Sequence, residues 1–183
     1  MSTRYTLEDL LYLMARLRDP ETGCPWDKAQ TFQTIAPYTL EETYELVDAL
    51  LQEDYAHVEE ELGDVLFQVV FYAQMASEQQ RFDFAKVVHG ITEKLIRRHP
   101  HVFANGDLYA SVTEKPAVDA IKAQWESIKS DERKAKSQSK LLDDVPMALP
   151  SLKRAQKLQK RASTVGFDWP DALSALNKIR EEV

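Results

Sequence analysis

The chain has 183 residues, 44% of them apolar, and carries 30 Asp and Glu against 23 Lys and Arg, a formal net charge of −7. That apolar share suffices for a globular core, whereas the acidic balance argues against a generic nucleic-acid binder, no apolar run reaches the roughly 18 residues of a membrane span, and the opening MSTRYTLEDLL does not read as a secretory leader. The single cysteine, Cys24, cannot form an internal disulfide, which fits a reducing, cytoplasmic setting and a structural thiol.

Five glycines and few alternating β-branched runs argue against a sheet protein. Leu7, Leu10, Leu11, Met14 and Leu17 recur at helical spacing and predict a first helix ending near Asp19-Pro20. ETGCPWDKAQTF then reads as a loop, in which Trp26 is either a lid on the core or a ligand contact; residue type favours the core. Thr39 and Glu42 form a capping-box pattern, so a second helix is expected from there, with Leu40, Tyr44, Val47 and Leu51 as its core stripe. Asp54 is placed to cap a long third helix reaching about Ser77. Its second half, VLFQVVFYAQMA, is nearly all apolar and should be the buried centre.

Asp83 opens a further helix that Pro100 stops, with Phe84, Val87, Val88, Ile91 and Leu95 as its core stripe. Lys94, Arg97 and Arg98 sit at its C-terminal end, where cations suit the helix dipole and could equally serve a polyphosphate. HVFANGDLYASVT is a loop, and a helix follows Pro116 with Val118, Ile121, Trp125 and Ile128 inward. Ser130 to Lys140 reads as a linker or frayed helix end. A helix from about Pro150 to Val165 is closed by Gly166 and carries Lys153, Arg154, Lys157, Lys160 and Arg161 as a solvated face. FDWPDALSALNKIREEV begins another. The expected organisation is a domain over 1–130, a linker over 131–149, and a connector helix leading into a second, incomplete copy over 150–183. Asp168-Trp169 followed by Glu181-Glu182 echoes Trp26-Asp27 followed by Glu41-Glu42.

The most informative stretch runs from Thr39 to Asp64. Between Ala29 and Gln80 there are eleven Asp or Glu and no Lys or Arg, so the net negative charge originates there. Glu42 and Glu45 share a helix face with Glu41 beside them, and Glu61 and Asp64 share another. Glu53, Glu59 and Glu60 read as a solvated face. Glu61 and Asp64 directly precede the apolar half of their helix, so both are expected to be half-buried, and carboxylates persist in such places when a cation or donors meet them. Oxygen-rich clusters of this kind suit a hard divalent ion. A di-iron bundle would need Glu-x-x-His pairs, and none of His57, His89, His99 or His101 has a Glu three residues before it.

In order along the chain, CPWDKAQTF, EETYE, EELGD and KLIRRHPHVF resemble the MazG nucleoside triphosphate pyrophosphohydrolases. The family pattern EExxE, spacer, ExxD stands here as Glu41 to Glu45 and Glu61 to Asp64. The resemblance is dense over about 7–130, and RAQKLQKRASTVGFDWP resembles the connector to the second domain of two-domain members. It implies a four-helix-bundle-like all-α fold and a homodimer. The implied activity is Mg²⁺-dependent hydrolysis of nucleoside triphosphates to monophosphate and pyrophosphate, by water activated on the metal, with Mn²⁺ as an alternative ion. By position it implies Glu42, Glu45, Glu61 and Asp64 as metal ligands and Glu41, Glu42 and Glu61 as the catalytic carboxylates, Glu41 behind the ligands or orienting the water. Lys94 and Arg98 would meet phosphate with Arg97 as a third donor, and Trp125 would contact the base. One departure is Phe32, where many relatives carry His. All-α relatives that act on dUTP or phosphoribosyl-ATP fit the CPWD and RRHPHVF blocks less well. The competing reading is a catalytically silent copy that keeps the acidic motif as a dimerising, metal-binding scaffold.

Overall fold

A computed structural model describes residues 4–113, 116–135, 142–143 and 145–182. Its core is built on the apolar half of the helix that follows Asp54. This helix, α4 (Tyr55–Glu78), starts where the Asp54 carboxylate accepts the His57 backbone N–H at 3.2 Å. Val70, Phe71, Ala73, Met75 and Ala76 are buried along it, as the apolar run predicts. Met14 from α1 (Leu7–Leu17) and Ile35 from α3 (Phe32–Gln52) complete the cluster with Val70, Phe71 and Met75. Leu10, Leu11, Phe32, Phe67, Tyr72 and Phe84 pack around it. Each large apolar side chain fully buried here contributes about 1.5–3 kcal/mol. Arg18 ties the cluster shut. Its guanidinium forks onto Glu78, donates to the carbonyls of Asp27 and Gln30, and lies 5.4 Å from the Phe71 ring centre.

The expected loop after α1 contains a short helix, α2 (Pro25–Ala29), with Pro25 at its first position. Gly23 makes the approach to α2 feasible, because a Cβ there would come within 2.5 Å of the Leu17 and Asp19 carbonyl oxygens. Trp26 is not in the core. It is 52% exposed and meets Tyr38 edge-on.

The start of α3 also differs from expectation. The helix begins eight residues before Leu40, at a reciprocal cap between Thr31 and Thr34, and runs through Pro37. Thr39 is therefore mid-helix. Its hydroxyl lies 3.4 Å from the Ile35 carbonyl and 2.8 Å from the Tyr72 hydroxyl, and makes a 3.4 Å contact with buried Gln68. A local capping pattern can be satisfied in other ways, and here the hydroxyl serves the packing of α3 on α4. The stripe assigned to the core is exposed: Leu40, Tyr44, Val47 and Leu51 all face away from it, as do Val88, Ile91 and Leu95 on α5 (Phe84–Arg98). Ile35 and Ala49 are the α3 residues that are buried.

The chain divides into two compact units, Met1–Leu95 and Ile96–Val183. In the second, a turn of 3₁₀ helix at Ala104–Gly106 and an antiparallel bridge between Phe103 and Ser111 order the expected loop. Helix α6 (Val118–Ala135) follows. It is helical through 131–135, which agrees with the helix-end alternative for Ser130 to Lys140 rather than the linker; residues 136–141 and 144 of the expected linker lie outside the described residues. Helices α7 (Ser151–Ser163) and α8 (Ala172–Glu182) stand where predicted. Gly166, at φ +82°, ends the turn after α7 in the left-handed region that favours glycine. No β-strand occurs among the described residues.

Candidate metal centre

The site follows from hairpin arithmetic. Helices α3 and α4 are joined by two residues, Glu53 in the left-handed conformation (φ 57°) and Asp54. So short a connection folds the helices back antiparallel. Counted from Glu53, Glu45 and Glu61 are each eight residues away, and Glu42 and Asp64 are each eleven away. Positions equidistant from an antiparallel turn face each other across it. The two halves of the acidic motif therefore converge because of their spacing from the turn.

Oxygens of Glu42, Glu45 and Glu61 all lie within 4.8 Å of one another. Three carboxylates this close repel by about 1 kcal/mol per pair even at a solvated edge. Glu61 is 7% exposed, at the start of the buried half of α4. Its Oε1 lies 2.8 Å from His57 Nε2, whereas its Oε2 is buried without a hydrogen-bond partner. A buried carboxylate oxygen lacking a donor costs on the order of 1–3 kcal/mol. The Glu42 carboxyl is pushed above the ordinary range, first by burial and then by the charges of Asp64, Glu45, Glu61 and Glu41. The same group is thus short of positive partners and rich in oxygen donors. A divalent cation answers both conditions, and the residues fit one.

The other predicted residues are placed less uniformly. Glu61 and Asp64 depart from the expected half-burial in opposite directions: Glu61 is buried and Asp64, which lies before the buried run of α4, is exposed. The Asp64 charge nevertheless acts on Glu42. Glu41 is exposed and acts on Glu42 more weakly than the others. Lys94 is half-buried on α5. Arg97 and Arg98 both donate to Glu132 of α6, at 2.7 and 2.6 Å. Hydrogen bonds from Arg98 lead the effects that bring the Glu132 carboxyl down to about 2, with Arg97 adding to them against the opposing effect of burial. Trp125 is 40% exposed, with Lys129 Nζ 4.9 Å from its ring centre.

Two participants escaped the sequence reading. His57 lacks the Glu three residues before it that a di-iron pair needs, and its partner stands four residues after it. Within 29–80, a stretch free of Lys and Arg, it is the lone histidine, which was the available signal. Glu132 fell inside an expected linker. Its pairing with Arg97 and Arg98 spans 34 and 35 residues and has no local signature.

Residues 30–103 match the sequence profile of the MazG nucleotide pyrophosphohydrolase domain. The chain is similar to a nucleoside triphosphate pyrophosphohydrolase of Escherichia coli K12, with 55% identity over 177 residues, 97% of this chain and 65% of that protein. It is 43% identical to the Thermotoga maritima protein named nucleoside triphosphate pyrophosphohydrolase/pyrophosphatase MazG, over 96% of this chain and 64% of that one. It thus spans a little under two thirds of the length of these relatives. A crystal structure of a mazG-related protein from Thermotoga maritima superposes with a TM-score of 0.55 at 26% identity, covering 68% of this chain and 99% of the other.

Proposed function

We propose, on the premise that this chain belongs to the MazG nucleotide pyrophosphohydrolase family through residues 30–103, that it hydrolyses nucleoside triphosphates to monophosphate and pyrophosphate. The observation that carries the reading is the α3–α4 cluster, three convergent carboxylates with a buried, partnerless Glu61 oxygen among them. Glu42, Glu45, Glu61 and Asp64 would hold Mg²⁺, or Mn²⁺ in its place. When bound, such an ion offsets phosphate charge and lowers the pKa of a water it carries.

The chain's own groups do the rest. Glu41, exposed beside Glu42, orients the attacking water. The water oxygen bonds to the α-phosphorus as the bond from that phosphorus to the bridging oxygen breaks; the bridging oxygen leaves with its electron pair as part of pyrophosphate, and the water's proton is released to solvent. Lys94, Arg97 and Arg98 are assigned to the phosphates by their place in the KLIRRHPHVF block, and Trp125, outside the motif blocks, to the base. The reading includes a homodimer, supported by the exposed apolar stripes of α3 and α5. It also includes a cytoplasmic setting, consistent with a single free cysteine. Among the described residues no helix is long and apolar enough to cross a membrane.

One observation favours a second reading, a silent copy that binds metal without turnover: both arginines assigned to phosphate are engaged by Glu132. Product analysis separates the two. The chain is incubated with Mg²⁺ and a panel of nucleoside triphosphates in ¹⁸O-water. Labelled monophosphate with unlabelled pyrophosphate, absent in Glu61→Gln, is the expected result. Diphosphate and inorganic phosphate would contradict it, and absence of turnover with metal bound would favour the silent copy.

A further inference from the structure

Glu61 is the most buried member of the carboxylate cluster, and its two oxygens have different fates. Oε1 lies 2.8 Å from His57 Nε2, one helical turn away on α4. Oε2 is buried and has no partner. The backbone N–H of His57 is itself held by the Asp54 cap, so the turn that carries the imidazole is anchored. No Lys or Arg occurs between Ala29 and Gln80, and His57 is the one histidine there, so no other basic side chain of this hairpin can reach Glu61.

We infer that His57 is a positioning residue for the metal centre. Its Nε2–H holds Oε1, which fixes the Glu61 carboxylate plane and leaves Oε2 as the oxygen offered to a cation. A carboxylate on a helix can swing through several rotamers, and ordering it on binding costs free energy that a fixed hydrogen bond removes beforehand. Groups that orient a metal ligand from behind in this way change metal affinity by roughly 10- to 100-fold when removed. The inference rests on the cation site proposed above and adds to it a residue outside the EExxE and ExxD motifs.

The test is Mn²⁺ affinity, measured by calorimetry and by electron paramagnetic resonance on the wild type, His57→Gln, His57→Leu and Glu61→Gln. A glutamine amide can donate to Oε1 and leucine cannot. His57→Leu should weaken Mn²⁺ binding by about tenfold, His57→Gln should remain within a few-fold of wild type, and Glu61→Gln should lose the site. Wild-type affinity in His57→Leu, while Glu61→Gln still loses it, would overturn the role of His57 and leave the metal site standing. Equal losses in His57→Gln and His57→Leu, with nitrogen coupling in the wild-type Mn²⁺ spectrum, would overturn it in favour of direct ligation. No Mn²⁺ binding by the wild type would overturn both readings.

Discussion

At the scale of single residues, carboxylates in this protein are governed by what faces them. Glu42 and Glu132 show the two directions. Burial and four neighbouring acids push the Glu42 carboxyl up, so without metal the fold gains as pH falls through the range where Glu42 takes up a proton. Metal binding needs the ionised form and should weaken over that same range. Glu132 behaves oppositely. Hydrogen bonds from Arg98 and Arg97 hold it at about 2, below the ordinary 4.5. A depressed carboxyl contributes stability above the unfolded value and loses it as pH falls towards the folded one. Glu132→Gln should therefore cost on the order of 1–2 kcal/mol at pH 7. Its stability should also change less than that of wild type between pH 5 and pH 2, as read by urea unfolding across that range. A parallel pH dependence in the two proteins would contradict the assignment.

At the scale of elements, the site is a consequence of register. The two-residue turn at Glu53 and Asp54 sets which residues of α3 meet which of α4. One alanine inserted within α3 between Asp48 and Ala49 turns Glu42 and Glu45 by about 100° about the helix axis relative to the turn and α4. The variant should stay helical by circular dichroism and lose divalent-ion binding, and retained binding would show that the cluster does not depend on the turn. This scale is also where the sequence was most and least legible. Helices α1, α4, α5 and α6 announce themselves by apolar period. The acidic motif shows in the sequence which carboxylates share a helix face, whereas the meeting of its two halves follows from the two-residue turn. The start of α3 was misplaced because Thr39 and Glu42 mimic a cap, whereas the true cap at Thr31 and Thr34 uses two threonines. The closeness of His57 to Glu61 was missed because it depends on side-chain geometry around a buried carboxylate, which spacing alone does not reveal.

At the scale of the whole molecule, the apolar stripes explain the other misreading. Periodicity identifies an apolar face without saying what covers it. Leu51 is 79% exposed and Tyr44 58%, residues the pattern had assigned to a core. Exposed apolar faces of this kind mark interaction surfaces, and the proposed homodimer would cover them. Sedimentation equilibrium should give twice the 21.0 kDa chain mass, and Leu51→Glu combined with Tyr44→Glu should shift it towards one chain mass. A monomeric wild type at micromolar concentration would contradict the dimer.

The central claim is that the α3–α4 carboxylates are a cation site whose repulsion the ion relieves. The most direct measurement is thermal unfolding of wild type and Glu61→Gln, each with and without millimolar Mg²⁺. An ion that binds the folded state alone stabilises it by mass action, about 2.7 kcal/mol at a hundredfold excess over Kd. The wild type should melt several degrees higher with Mg²⁺. Glu61→Gln should melt at or above the metal-free wild type, since it removes a buried charge, and should not respond to the ion. A wild-type melting temperature unmoved by Mg²⁺, or an equal rise in both proteins, would contradict the account.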